Sequence, residues 1–402
     1  MNPAAAGLLL VTIDRLPAWI LPSYGATWVA MPALDALAGC GVVFDRLIAS
    51  GDDPRQAAAD LVGSVERGVL AAAQAGGLPV TVITDDPSCV PAELSTLATV
   101  RLVAATAKAD VAADEAATNL ARLFAAAEDA VRGGGPGLVW CHAGSLGVAW
   151  DAPREFREAY VDPEDPPPPS GASVPDLALD AASDPDIAVG VRQAFAGQLT
   201  LLDRCLDRLF DALPTAGQGA WTVLVAGLRG LPLGLHGRVG VGPLPPYGEL
   251  IHVPAILVDA RGRMAAQRYG GLVLHADLGA TLLESLAGQP VDVDPLRPWL
   301  GRSLEGLFAK WSAAERDRVI VAGSAGSAVV TPGWQFVRSA ADAGEAAARL
   351  FAKPDDYFEA CDVADRCPDV AEELRRIAEA AAGGDLQRAW TDPLSAAARN
   401  AT

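Results

Sequence analysis

The feature that most constrains this chain is a regular alternation of short apolar runs with longer helical patterns between Leu8 and Val258. Strand-like runs are Leu8–Ile13, Val42–Ala49, Pro79–Thr84, Gly137–His142, Trp221–Ala226 and Pro254–Val258. Between them, apolar residues recur at helical spacing in Met31–Cys40, Arg55–Ala75, Ala112–Arg132 and Ile187–Leu213. Glycines close the first two of these, at Gly41 and at Gly76 and Gly77. Parallel strands need crossover connections, and these helices supply them. The pattern predicts an α/β fold: a mixed, mostly parallel sheet with helices on both faces. Ligands of such sheets bind beyond the carboxyl ends of the strands. Chemistry is therefore expected in the loops after Ile13, Ala49, His142 and Ala226.

Further along, "DRVIVAGSAGSAVVTPGWQFVRSA" gives three short strand-like pieces with Gly and Pro turns, and "CPDVAEELRRIAEAAAGG" is an amphipathic helix with a glycine stop. This divides the chain into an α/β domain over residues 1–310 and a small antiparallel-sheet and helix subdomain over 311–402. The segment "YVDPEDPPPPSGASVPD" is a surface excursion, because consecutive prolines fix φ and remove donors. Half of the 402 residues are apolar, enough for a sizeable core and too many for global disorder. The net charge of −19 repels phosphate backbones and anionic bilayers, so neither nucleic acid nor membrane is an expected partner. The opening "MNPAAAGLLLVTID" lacks a basic region, and no run reaches the ~18 apolar residues that span a bilayer. Cys40, Cys89, Cys141, Cys205, Cys361 and Cys367 are scattered without metal-site spacing and are read as reduced, mostly buried thiols. A cytoplasmic, bacterial protein is expected, with a homo-oligomer left open.

The strand-end loops carry ionisable residues in an unusual mixture. Asp14 closes the first run and Arg15, a cation, follows it. After the second run, Asp52 and Asp53 precede Pro54 and Arg55. A helix start with an arginine can hold an anion, but an acidic N-cap followed by proline is the favoured reading. "GLRGLPLGLHG" places Leu228 and Arg229 at a strand end, with His236 and Arg238 beyond. His142 ends another strand, and His142 and His236 are the histidines expected where loops converge. "VITDDP" also ends a strand with paired acids and is read as a turn. There is no HxH, HExxH, glycine-rich phosphate loop or GxSxG elbow.

Taken in order, these segments resemble the sulfatases of the alkaline phosphatase superfamily over nearly the whole length. "LLLVTIDRLPAWILPSYG…MPALDALAGCGVVFDRLIAS" is similar to that family's opening, where a strand ends in Asp-Asp and is followed by Tyr-Gly, Thr-Pro-Asn-Leu-Asp and a Gly-Val-x-Phe strand. "AWTVLVAGLRG", "LGLHG" and "IHVPAILV" resemble its strand leading to Ser-Asp-His-Gly, its Gly-Glu-His-Gly and its Val-Pro strand. "HADLGATLLESLAG" with "GRSL", and "VVTPGWQFVR", resemble its later helix and its Trp-Lys-Tyr strand.

The resemblance implies the fold but not the chemistry. The family binds calcium with the Asp-Asp pair and the Asp of Ser-Asp-His-Gly, and uses a formylglycine nucleophile from Cys-x-Pro-x-Arg. Asp14 matches the first ligand, but Arg15, Leu228 and Arg229 stand where carboxylates and a histidine are expected. Asp52 falls on the nucleophile, Pro54 is retained, and Arg55 sits one place early. His236 matches a family histidine, and Gly147 falls near the family's substrate-binding histidine. Calcium needs six to eight oxygen ligands, so neither Ca²⁺ nor formylglycine nor any other cofactor is expected. Arg15, Arg55, His142, Arg229, His236 and Arg238 are the anion-binding candidates. An internal salt-bridge cluster, with Arg15 or Arg229 paired to Asp14, Asp52 or Asp53, is preferred over an anion held directly by the two arginines. The reading is a degenerate, pseudo-sulfatase protein acting by binding a small anionic ligand or a protein partner. The alternative is a hydrolase of sulfate or phosphate esters with a metal-poor site. A scaffold using Pro163–Pro175 as a docking arm is a third reading.

Overall fold

The computed structural model describes residues 7–214, 221–288, 298–310, 315–340 and 348–401. The strands are β1 Gly7–Ile13, β2 Val42–Ile48, β3 Val80–Thr84, β4 Thr99–Leu102, β5 Leu138–Ala143, β6 Asp176–Ala178, β7 Trp221–Gly227 and β8 Arg238–Gly240. They continue with β9 His252–Val253, β10 Ala255–Val258, β11 Gln267–Val273, β12 Val319–Gly323, β13 Gly326–Val330, β14 Trp334–Ser339 and β15 Ala348–Ala352. The helices that frame the main sheet are α1 Pro32–Cys40, α2 Pro54–Val62, α3 Val69–Ala75, α4 Asn119–Gly134, α5 Arg154–Glu158, α6 Asp186–Asp211, α7 Gly248–Ile251 and α8 His275–Ala287.

The main sheet runs β11-β2-β10-β7-β1-β5-β3-β4, with β9 paired to β2. Its pairs are parallel except where β10 meets β2 and β7 and where β9 meets β2. β1 lies at the centre with all seven residues buried, which is why it reads as an unbroken apolar run. Its odd-numbered residues Leu9, Val11 and Ile13 join one core with α4 and α6, and its even-numbered Leu8 and Leu10 join another with α2, α3 and α8. A sheet covered on both faces is thus realised as expected. The helix expected over Arg55–Ala75 is instead two, α2 and α3, separated where Gly63 adopts φ 73°. A backbone in that region favours glycine and ends the first helix.

β12-β13-β14-β15 form an antiparallel meander, one strand more than the three expected, covered by the Pro368–Ala382 helix. Its core also takes in Ile48, Tyr247, Leu250 and Ile251 from the main sheet's edge, so the two parts share buried surface. The expected boundary at 310/311 and the opening residues 1–6 touch segments outside the described residues. The proline-rich excursion contains neither helix nor sheet strand until β6 begins at Asp176. Among the described residues no helix is long and apolar enough to cross a membrane. All six cysteines are free thiols, three of them buried.

Candidate functional site

Parallel register brings the expected loops together. Ile13 is the partner of Ala143 on one side and of Gly227 on the other, so Asp14, the residues after β5 and those after β7 emerge side by side. Leu228 donates its backbone N–H to the Ile13 carbonyl, and Leu16 donates to that of Arg229, which lock the two loops in step.

Asp14 is 4% exposed. Its carboxylate is gripped on both oxygens by one guanidinium: Arg229 Nε donates to Oδ1 at 2.8 Å and Nη2 to Oδ2 at 3.0 Å. Arg229 Nη1 donates to the Asp52 carbonyl at 2.8 Å. Burial weighs against the Arg229 charge, but Asp14 outweighs it and holds the guanidinium above its ordinary range. Asp52 is turned elsewhere: its Oδ2 accepts from Ser324 N at 2.9 Å and from Ser324 Oγ at 2.5 Å, on the turn between β12 and β13. Asp53 is the N-cap of α2, accepting from Arg55 N at 3.0 Å, and its carboxylate also pairs with the Arg55 side chain. The acidic-cap reading of this stretch holds.

Arg15 is different. Its backbone is left-handed, φ 62°, which costs a non-glycine residue about 1–2 kcal/mol. Its one charged contact among the described residues is Asp14, 3.8 Å away, and its side chain is 13% exposed. Burial lowers its pKa, Asp14 opposes that, and Arg229 adds to it. The guanidinium lies against Gly147, where a Cβ would stand 2.6 Å from Nε.

The other anion-binding candidates are placed apart or occupied. His142 is fully buried among Asp85, Asp14 and Asp86, and burial lowers its pKa despite those acids. Burial likewise raises the pKa of Asp85, which accepts from Gly144 N and Ser145 N. His236, expected at the converging loops, instead stands between two glutamates, with Nδ1 3.1 Å from Glu249 and Nε2 3.3 Å from Glu359, stacked on Tyr247. It lines a separate cavity of about 440 Å³ between the sheet edge and the meander, with Trp19, Tyr24, His252, Lys353 and Tyr357. Arg238 lies in β8 and pairs with Asp176 of β6.

For the calcium site that the resemblance implies, the residues do not fit. One carboxylate is present and both its oxygens are engaged by Arg229, Leu228 is apolar and fully buried, and Arg15 adds a second cation. A group that the sequence reading passed over does suit a metal: Asp86, Cys89 and His142 bring one ligand atom each to within 4.8 Å of one another. Cys89 had no spacing signal, and Asp86 was read only as part of a turn.

No family model and no curated protein matches the sequence. Solved structures do match. The phosphonate monoester hydrolase of Agrobacterium radiobacter superposes with a TM-score of 0.70 at 15% identity, over 95% of this chain and 96% of that one. A 2-O GAG sulfatase matches with a TM-score of 0.69 at 14% identity, over 99% and 97%. The phosphonate monoester hydrolase of Silicibacter pomeroyi matches with a TM-score of 0.63 at 17% identity, over 95% of each chain. The chain has the fold of these sulfatases and phosphonate monoester hydrolases.

Proposed function

We propose that this chain uses a sulfatase-type fold for binding rather than for ester hydrolysis, as a pseudo-sulfatase whose ligand is a small anion or an anionic group on a partner. The observation that carries the reading is the two-pronged grip of Arg229 on Asp14. A guanidinium fills the coordination that a hard cation would need, and Asp52 is spent on Ser324. With Asp14 closed to a cation and Asp52 engaged, a Lewis acid and an activated nucleophile are both missing from this position. Arg15 is the group left to hold an anion: a partly buried guanidinium in a strained backbone, with one long ion pair. Strain of this kind concentrates at functional positions. The acidic composition fits a protein that engages neither nucleic acid nor an anionic bilayer, and a cytoplasmic location belongs to the same proposal.

The test is an assay of purified protein on aryl sulfate, phosphate and phosphonate esters, with and without Ca²⁺, Mn²⁺ and Zn²⁺, beside calorimetric titration with sulfate and phosphate. The expected result is no turnover, and anion binding that Arg15→Ala removes. Metal-stimulated turnover that vanishes in Asp14→Ala would overturn the reading. Metal-independent turnover that requires Asp52 would favour an altered hydrolase.

A further inference from the structure

We propose that Asp86, Cys89 and His142 form a zinc-type metal site, distinct from the Asp14 position where the resemblance places calcium. This departs from the expectation of a metal-free protein, and it stands whether or not Arg15 holds an anion.

The fold builds the group from two adjacent strands. Thr84 at the end of β3 is the register partner of His142 on β5. Just past it, Asp86 N donates to Thr84 Oγ1, and Thr84 Oγ1 donates to the Asp86 carbonyl, both at 2.9 Å. That tight turn carries Asp86, and Cys89 a few residues later, back over the end of β5. The Cys89 thiol meets the Asp86 carboxylate with Sγ 3.6 Å from Oδ2. Around tetrahedral zinc, a sulfur at ~2.3 Å and an oxygen at ~2.0 Å stand about 3.5 Å apart. The thiol–carboxylate hydrogen bond thus holds these two atoms at a spacing that two zinc ligands would also take.

His142 supplies a second, independent observation. The residue is 0% exposed, its Nδ1 shares a 2.9 Å hydrogen bond with Thr12 Oγ1, and its Nε2 is buried with no hydrogen-bond partner among the described residues. Buried polar atoms are rarely left unpaired, and this one belongs to the residue that completes the group. Thr12 Oγ1 also accepts from Trp140 Nε1 at 2.9 Å, so the ring is held in orientation from behind, as metal-bound histidines are. Asp14 and Asp85 add negative charge around the ring.

The donor set decides the class of ion. One thiol, one imidazole and one carboxylate suit zinc or a neighbouring divalent transition metal, whereas calcium and magnesium require oxygen-rich sets. Three protein ligands leave one tetrahedral position for water or an anionic group. On binding, a metal–sulfur bond forms and the thiol proton passes to solvent, with no change of oxidation state.

The experiment starts from full-length protein carrying Cys40→Ser and Cys361→Ser, which removes the two exposed thiols. After chelator treatment it is reloaded with Zn²⁺ or Co²⁺, desalted, and analysed by elemental mass spectrometry and absorption. The expected result is one metal per chain and, with cobalt, a thiolate-to-metal charge-transfer band. Cys89→Ser abolishes the band, and Asp86→Asn weakens zinc more than about tenfold in chelator competition. His142→Gln perturbs the core, so Cys89→Ser and Asp86→Asn, each checked for native circular dichroism, carry the test. No retained zinc, no charge-transfer band, or parental affinity in folded Cys89→Ser overturns the proposal.

Discussion

At Asp14 a nearly buried carboxylate takes both its short charged hydrogen bonds from one side chain, Arg229, with Arg15 farther off at 3.8 Å, and that arrangement is fragile. Breaking one partner of such a pair strands the other charge, which typically costs about 3–5 kcal/mol. Arg229→Met is therefore expected to lower stability in urea by roughly 3 kcal/mol. Adding Asp14→Asn should recover much of that loss, and a double variant no more stable than the single would contradict the pairing. Arg15 predicts the opposite sign. Glycine takes φ 62° without strain, so Arg15→Gly should stabilise the fold by about 1 kcal/mol while anion binding is lost in calorimetry. Equal or lower stability would remove the strain argument. A strand-end ion pair was legible in the sequence because Asp14 and Arg229 directly follow long apolar runs and adjacent strand ends meet. Which arginine takes which of Asp14, Asp52 and Asp53 was settled only by the fold. The Asp86–Cys89–His142 group was not legible, because it depends on the register of β3 against β5 and on a turn closed by a threonine side chain. No spacing rule encodes either.

Among the elements, legibility followed burial. The six runs read as strands are mostly apolar and mostly buried, β1 and β5 buried throughout, while β2 is interrupted only at Asp45 and Arg46. β11, "QRYGGLV", escaped notice because it is an edge strand with exposed residues, two glycines and an irregular register. β4, "TVRL", is exposed throughout and carries no core signal. The single helix read over Arg55–Ala75 failed because alanines on both sides of Gly63 mask the break. Helix α8 illustrates a contact that sequence alone cannot weigh. It packs on α2 through Gly279, where a Cβ would collide with the Leu61 carbonyl oxygen. Backbone cannot yield as a side-chain tip does, so Gly279→Ala should destabilise by about 1–3 kcal/mol despite alanine's better helix propensity. Thermal unfolding measures it, and an unchanged or raised midpoint would mean that α2 and α8 separate freely.

For the whole molecule, the central question is what ties the strand ends to the helices that cover them, and His275 is one such tie. It opens α8, is 1% exposed, and its Nε2–H donates to the carbonyl of Gly227 at 2.7 Å, at the end of β7. Its Nδ1 is buried without a partner among the described residues. Burial pushes its pKa down to about 4 from the ordinary imidazole value of 6.5; the Gly227 hydrogen bond and Asp277 oppose the shift without cancelling it. The folded state therefore holds this imidazole neutral in a range where the unfolded chain protonates it. Where the unfolded state binds more protons, stability falls with falling pH. The contribution is intact above pH ~6.5, declines through the window down to about 4, and totals roughly 3 kcal/mol at ~1.4 kcal/mol per pKa unit. Carboxylates titrate near the lower end of the same window, so the comparison must be differential. His275→Gln retains an N–H for Gly227 but cannot titrate. Its urea stability at pH 7.5 should be lower than that of the parent, yet it should lose about 3 kcal/mol less on passing from pH 7 to pH 4. Parallel pH profiles for the two proteins would show that this histidine is not held neutral, and that the acid sensitivity of the fold lies with other groups, among them the buried His142 and His252.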